Sequence, residues 1–255
     1  MQSSLKGLRV PVDGLRSEPF SLILCYPKLD REHLEERIKE LKDLGVTALE
    51  FQGEKQVFNV PVLGKGCVGL VVLAYRNVEK VALKIRRTDA DRAMMQHEAE
   101  MLKRANAVDV GPKLFSVSRN FLLMQFIEGV LLPEWLERVS DAERVKRVLR
   151  NMLEQCWRLD KIHLDHGELS RAPKHIIVDF NDSPFIVDFE SASLNRKPAN
   201  VTSLSQFLFI SGKVAEKVAL KIGEKNRDPI IEALRRYKAD GNRESFERIL
   251  RVCGL

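Results

Sequence analysis

Cysteine is scarce in this chain of 255 residues. The four present, Cys25, Cys67, Cys156 and Cys253, lie far apart and form no C-x-x-C pair. That pattern argues against a structural zinc cluster or a disulfide framework and suits a reducing compartment. His97, His163 and His166 complete no ligand set with them. Long apolar runs are also missing. The longest, around residues 68–75 and 20–26, are far too short to cross a bilayer. The first residues lack the charged-then-apolar layout of a secretory signal. Internal repeats and low-complexity tracts are absent as well. The expectation is a soluble, cytoplasmic protein with no membrane partner.

What the chain does have is ordinary globular composition, 44% hydrophobic and 31% charged, with a formal net charge of +6. The basic balance suits phosphate-rich partners, so an RNA or ribonucleoprotein contact stays among the expectations. The length allows one large domain, or one domain and an appendage. Residues 1–53 read as strand, helix, strand. The apolar run FSLILCY at 20–26 is the first strand. The helix runs from an Asp30 cap along Leu34, Ile38 and Leu41 to a stop at Gly45, and VTALEF is the second strand. A β-rich block begins near Lys55, followed by a helix over about 89–107 and two more strands. From Ser140, which with Glu143 reads as a capping box, the chain is mainly helical. The hairpin IIVDFNDSPFIVDF interrupts it, and a late helix reads as capped by Asp228 and stopped by Gly241.

Chemistry enters with LGKGCVGLV at residues 63–71. Glycine lets backbone approach phosphate oxygens with no Cβ in the way. A dinucleotide-binding turn would be followed by a helix, whereas here a strand follows. Lys84, in VALK, comes fifteen residues past Gly69 on the next strand. The order of glycine loop and strand lysine resembles the ATP lobe of protein kinases. That family pairs its lysine with a helix glutamate. At about 100° per residue, Met94, Met101, Leu102 and Ala105 share one face, with Glu98 in its middle and Glu100 opposite. A carboxylate on an apolar face is costly unless paired, which selects Glu98 for Lys84. FLLMQFIEG resembles the kinase hinge, and the resemblance implies nucleotide contacts from Met124, Gln125 and Ile127. It implies the same for Gly64, Lys65, Gly66, Gly69, Val71 and Ala82.

The stretch HGELSRAPKHIIVDFNDSPFIVDF carries the rest. Asp188 in IVDFES stands where the kinase DFG aspartate holds a metal, with Glu190 in place of the glycine. HGEL resembles the HGDL catalytic loop of small atypical kinases, which puts Glu168 at the catalytic aspartate's position and His175 at that of the metal-binding asparagine. Two departures stand out. Glutamate is longer by about 1.5 Å. The gap from Glu168 to His175 is six residues, against the shorter D-x-x-x-x-N of the kinase pattern. Asp165 is the rival base. His175 is read as a metal ligand better suited to Mn²⁺ than to Mg²⁺, as a phosphate contact while protonated, or as a brace for the loop. Arg171 and Lys174 add positive charge where kinases keep a phosphate-contacting lysine. Cys67, at the tip of the glycine loop, is read as a small residue that fits the turn.

The match covers about residues 55–193, and no APE motif follows. The chain resembles an archaeal family of predicted atypical serine/threonine kinases related to the RIO and KEOPS-complex kinases. The resemblance implies an α+β, bilobal protein-kinase-like fold. Residues 54–128 would be a β-rich N-lobe and 129–255 a minimal helical C-lobe, with 1–53 as a small βαβ-type extension. It implies ATP with Mg²⁺, or Mn²⁺, and phosphoryl transfer to a protein hydroxyl or to the chain itself. Glu168, Lys84, Glu98 and Arg171 would be catalytic, and Asp188 and His175 would face the metal. The rivals are an ATP-binding pseudokinase or slow ATPase regulating a ribosomal or tRNA-linked assembly, and a small-molecule phosphotransferase.

Overall fold

In the computed structural model, which describes residues 5–255, contacts divide the chain into two compact units. The first runs to Glu100 and includes Lys113–Phe126; the second comprises Met101–Pro112 and Ile127–Leu255. With 46% helix and 22% strand, an antiparallel sheet early and helices late, the fold is the expected α+β class. The expected extension starts at residue 1, and residues 1–4 lie outside the described residues.

The first unit opens with β1 (Leu8–Pro11), α1 (Phe20–Leu24), α2 (Arg31–Asp43) and β2 (Val46–Phe51). The strand expected at residues 20–26 is therefore a helix, and the first strand lies a dozen residues earlier. A short apolar run does not separate a buried strand from a buried helix by periodicity. Here Ser21, Ile23, Leu24 and Cys25 are all buried, a grouping that strand alternation would not give. The true strand, LRVP, buries only Val10, so it had no alternation to show. It pairs antiparallel with β2, and β2 pairs with a strand of the main sheet. The extension thus adds two strands to that sheet. Asp30 caps α2 by accepting from the His33 N–H at 3.0 Å, and Gly45 ends it at φ +75°.

A tight hairpin of β3 (Lys55–Val57) and β4 (Val60–Val62) turns on Phe58 and Asn59, both at positive φ. Then come β5 (Gly64–Lys65), β6 (Gly69–Arg76), β7 (Glu79–Arg86), α3 (Arg92–Asn106), β8 (Leu114–Val117) and β9 (Phe121–Gln125). The sheet runs β1-β2-β6-β7-β9-β8, with β5 beside β6. Its core clusters Ile38, Leu41, Leu49, Phe51, Leu70, Val72, Leu83 and Phe121. On α3, Met95, Ala99, Met101, Leu102 and Ala105 are buried and Met94 is 43% exposed, so the apolar face is centred one residue from its expected line.

The second unit holds β10 (Gly129–Leu131), α4 (Leu132–Arg138), α5 (Ala142–Lys161), β11 (Ile176–Asp179) and β12 (Pro184–Ile186). After them come α6 (Asn200–Phe209), α7 (Lys213–Ile222), α8 (Arg227–Asp240) and α9 (Arg243–Cys253). The stripe Val145, Val148, Leu149, Met152, Cys156 and Leu159 on α5 is buried as its spacing predicts. The caps differ by a residue or two. Asp141, not Ser140, accepts from the Glu143 and Arg144 N–H groups, and Asn226, not Asp228, caps α8. Either side chain of such a polar pair can cap, and the chain's entry angle selects between them.

Strands β10, β11 and β12 form a small antiparallel sheet in the second unit, with β11 and β12 between Glu168 and Asp188 in the chain. The strands lie close at Gly129, where a Cβ would stand 2.2 Å from the Val178 carbonyl oxygen and 2.8 Å from the Asp179 Cα. Both are backbone atoms, so the strands themselves would have to part. Gly129→Ala is expected to destabilise the protein by about 1–3 kcal/mol, read from the urea midpoint; an unchanged midpoint would show that this pairing is not tight.

Candidate functional site

In the first unit β7 sits between β6 and β9 and carries the lysine. Strand register places Lys84 opposite Val71 and Leu122, and Ala82 opposite Leu73 and Met124. The Lys84 Nζ donates to Glu98 Oε2 at 2.6 Å, and the two side chains are 5% and 3% exposed. Glu100 is exposed, on the other side of α3, as the helical projection places it. Two buried charges at this distance interact far more strongly than at the surface, because water does not screen them.

The glycine loop is the β5–β6 turn. Gly64 pairs with Val71 and Lys65 with Leu70, and the Gly66 N–H donates to the Gly69 carbonyl at 2.9 Å. Gly69 has a packing reason of its own. A Cβ there would lie 2.7 Å from the Ile85 carbonyl oxygen and 3.1 Å from the Lys84 Cγ, so the lysine strand needs glycine at this point. The Lys65 ammonium lies over the Tyr26 ring, 5.0 Å from its centroid. Val68 beside the tip is buried and Cys67 is exposed. Met124 and Gln125 end β9, and the Gln125 N–H is bonded to the Lys113 carbonyl at 2.8 Å.

The second unit gathers Glu168, His175, Asp188 and Ser191 at one place; Ile127, in the same unit, is buried. Glu168 opens a short 3₁₀ turn over Leu169–Arg171 whose buried Leu169 and Ala172 anchor the loop. The longer loop closes on His175, whose N–H donates to the Ala172 carbonyl. The His175 ring is wholly buried with a carboxylate on each nitrogen. Nε2 is 2.9 Å from Glu168 Oε2 and Nδ1 is 3.6 Å from Asp188 Oδ2. Neither approach is aligned as a hydrogen bond. Asp188 sits at φ +70°, ψ +73°, a backbone conformation uncommon outside glycine and frequent at functional sites. Its carboxylate and that of Glu190 each offer an oxygen, within 4.8 Å of one another. Arg171 and Lys174 are exposed.

Ser191 is the participant that the sequence did not disclose. Its hydroxyl donates to Glu168 Oε1 at 2.5 Å across 23 residues. This bond, the largest cause, holds the Glu168 carboxyl below its ordinary value, burial opposes it, and His175 helps. Asp165 is engaged differently. It is 9% exposed, accepts from Arg196 Nε at 2.9 Å and from the Ala199 N–H at 3.2 Å, and its backbone bridges Ser193. His166 packs edge-on against His175 and Phe189, with Nε2 3.1 Å from the Val187 carbonyl. Burial, above all, pushes its pKa down to about 4 and keeps the ring neutral near pH 7. Asn200, also unsuspected, accepts from the His166 N–H and donates to Asp160 and Leu164, tying α6 to the loop.

A family model described as the RIO domain matches residues 73–206. That span contains Lys84, Glu98, Glu168, His175 and Asp188 and starts just after the glycine loop. No curated protein matches the chain.

Two outcomes test the geometry. Removing either Lys84 or Glu98 strips the other of the counter-charge at 2.6 Å. Lys84→Met and Glu98→Leu should each cost about 3–5 kcal/mol and the double variant much less, by chemical denaturation. Equal, additive losses would contradict a coupled pair. Ser191→Ala should raise the Glu168 pKa toward its ordinary 4.5, read by side-chain carboxyl NMR titration. The sign follows from the depressed folded value. The stabilisation is complete above 4.5 and is lost as pH falls through the lower folded pKa. An unmoved titration would show that the hydroxyl is not the cause.

Proposed function

The chain belongs to the RIO-domain family of atypical protein kinases, and on that premise we propose that it is an ATP-dependent serine/threonine protein kinase. It transfers the γ-phosphoryl group to a hydroxyl of a partner protein or of itself. Membership carries kinase-type use of ATP and a divalent metal in general terms. The Lys84–Glu98 pair is the observation that bears the most weight, since a buried ammonium is expensive to keep without a task for it. On this reading Gly64, Lys65, Gly66 and Gly69 cover the phosphates and Lys84, fixed by Glu98, contacts them. Val71, Ala82, Met124, Gln125 and Ile127 receive the adenine.

Asp188 and Glu190 offer the hard carboxylate oxygens that Mg²⁺ takes, and we assign the metal to them. A cation held there neutralises charge on the phosphate oxygens. His175 is assigned the bracing role. Its nitrogens already face Glu168 and Asp188, and imidazole suits Mg²⁺ poorly. Glu168 is assigned as the base over Asp165, which is committed to Arg196 and Ala199. Its carboxylate, 39% exposed, already accepts a hydroxyl hydrogen bond, from Ser191. In the transfer, the acceptor oxygen bonds to the γ-phosphorus as the bond to the leaving ADP oxygen breaks, and Glu168 takes the hydroxyl proton. Arg171 adds positive charge beside the base. Loop, lysine and carboxylates act mainly by position and charge.

Incubation with γ-labelled ATP and Mg²⁺ or Mn²⁺ tests this. Label should appear on protein in the wild type, disappear in Asp188→Ala, and fall by about 10²–10⁴ in Glu168→Gln. Free phosphate alone would make the protein an ATPase. Neither product, with ATP still raising the melting temperature, would make it a pseudokinase.

A further inference from the structure

Two arginines are buried in the first unit, away from Lys84 and Glu98 in role and partners. Arg37 on α2 is 1% exposed and Arg86 at the end of β7 is 6% exposed. Neither has a carboxylate within ion-pair distance among the described residues; every acceptor is neutral. Arg37 donates to the carbonyls of Leu24 and Arg86, the latter at 2.8 Å, and to Asn120 Oδ1 at 3.2 Å. Arg86 donates to the Arg87 and Ala90 carbonyls at 2.9 and 2.6 Å and to the same Asn120 oxygen at 2.8 Å. Its Nε is buried with no acceptor. Two guanidinium charges therefore share one amide oxygen. Glu40 fixes that amide, accepting from the Asn120 N–H at 2.8 Å and from Nδ2 at 2.7 Å; its charge acts on both arginines through space but makes no ion pair with either among the described residues.

Both arginines line a cavity of about 330 Å³ with Arg119, His33 and Asn120. Glu36 and Asp91 also line it. Glu36 is 3.7 Å from Arg119, and an Asp91 oxygen accepts from the Ala93 N–H at 2.9 Å. Carbonyl acceptors explain why the guanidiniums are oriented, but not why three cations converge on a cavity. Burial, the largest cause, pushes Arg37 down to about 10; Cys25 and Glu40 oppose the shift, and the Arg86 and Arg119 charges add to it. A buried cation without an anion is costly, and an anion in the cavity would offset that cost. Planar guanidinium forks match phosphate oxygens, and the volume exceeds what a single small ion fills.

We infer that this cavity binds a phosphate dianion, that of free phosphate or of a phosphoserine side chain, through Arg86, Arg37 and Arg119. The site is separate from the proposed nucleotide chemistry and stands whether or not that proposal does. Arg86 lies two residues past Lys84 on the same strand, so a ligand there contacts the strand that carries the lysine.

Calorimetric titration at constant ionic strength tests the inference, with inorganic phosphate and N-acetyl-phosphoserine amide as probes and no nucleotide present. Wild type should bind phosphate. The Lys84→Met/Glu98→Leu double variant should bind it equally, excluding the nucleotide-contacting groups as the source. Arg119→Gln alters a side chain that is 46% exposed and should fold normally. It should weaken binding about tenfold or more, the loss expected for a charge-assisted contact. Arg86→Gln should abolish binding, with circular dichroism checking its fold. Tighter binding of the phosphoserine probe would assign that source, and equal binding would assign free phosphate. No phosphate binding by the wild type, or unchanged affinity in Arg119→Gln, would overturn the inference.

Discussion

An ammonium and a carboxylate buried side by side, Lys84 and Glu98, constrain the first unit more than any other contact. Each would be costly to desolvate alone, so strand β7 and helix α3 must meet where the two groups touch. That requirement fixes neighbours in turn. The helix must present Met95, Ala99 and Leu122's packing partners to the sheet, and the strand must be central, paired on both edges. Gly69 belongs to the same constraint, because any side chain there would press on the backbone of the lysine strand.

The second unit solves a related problem with like charges. Glu168 and Asp188 approach the same imidazole, and the neutral His166 behind it closes the apolar side. A histidine between two carboxylates faces one with each ring nitrogen, at 2.9 and 3.6 Å. If His175 stands at the position of the kinase asparagine, as the resemblance implies, the six-residue gap from Glu168 and the histidine read as one change. The loop's extra residues let His175 reach inward, and the longer glutamate keeps its carboxylate on the histidine and on Ser191. The buried Leu169 and Ala172 keep that longer loop from being loose.

Legibility varied with the kind of signal. The α5 stripe, the Asp30 cap and the Gly45 stop were plain because each depends on residues a turn or less apart. Glu98 was separable from Glu100 because helix geometry alone places one inward. The run at residues 20–26 fits a buried strand and a buried helix equally, being short and almost wholly apolar, and β1 shows no pattern because it buries one residue. The arginine cavity left no trace at all. Arg37, Arg86 and Arg119 sit on a helix, a strand and a turn, and each looks like a surface cation in its own segment.

By itself the sequence determined the order of chemical groups along the chain and the faces on which they stand. Those follow from the periods of helix and strand and from glycine's missing side chain, which are properties of neighbouring residues. Only the tertiary structure decided that Ser191 would rest on Glu168, that His175 would stand between two carboxylates, and that two arginines would share one asparagine. Such contacts join residues 7 to 83 positions apart. The turns and packing between them, summed over many small terms, set whether they meet at 2.5 Å or not at all.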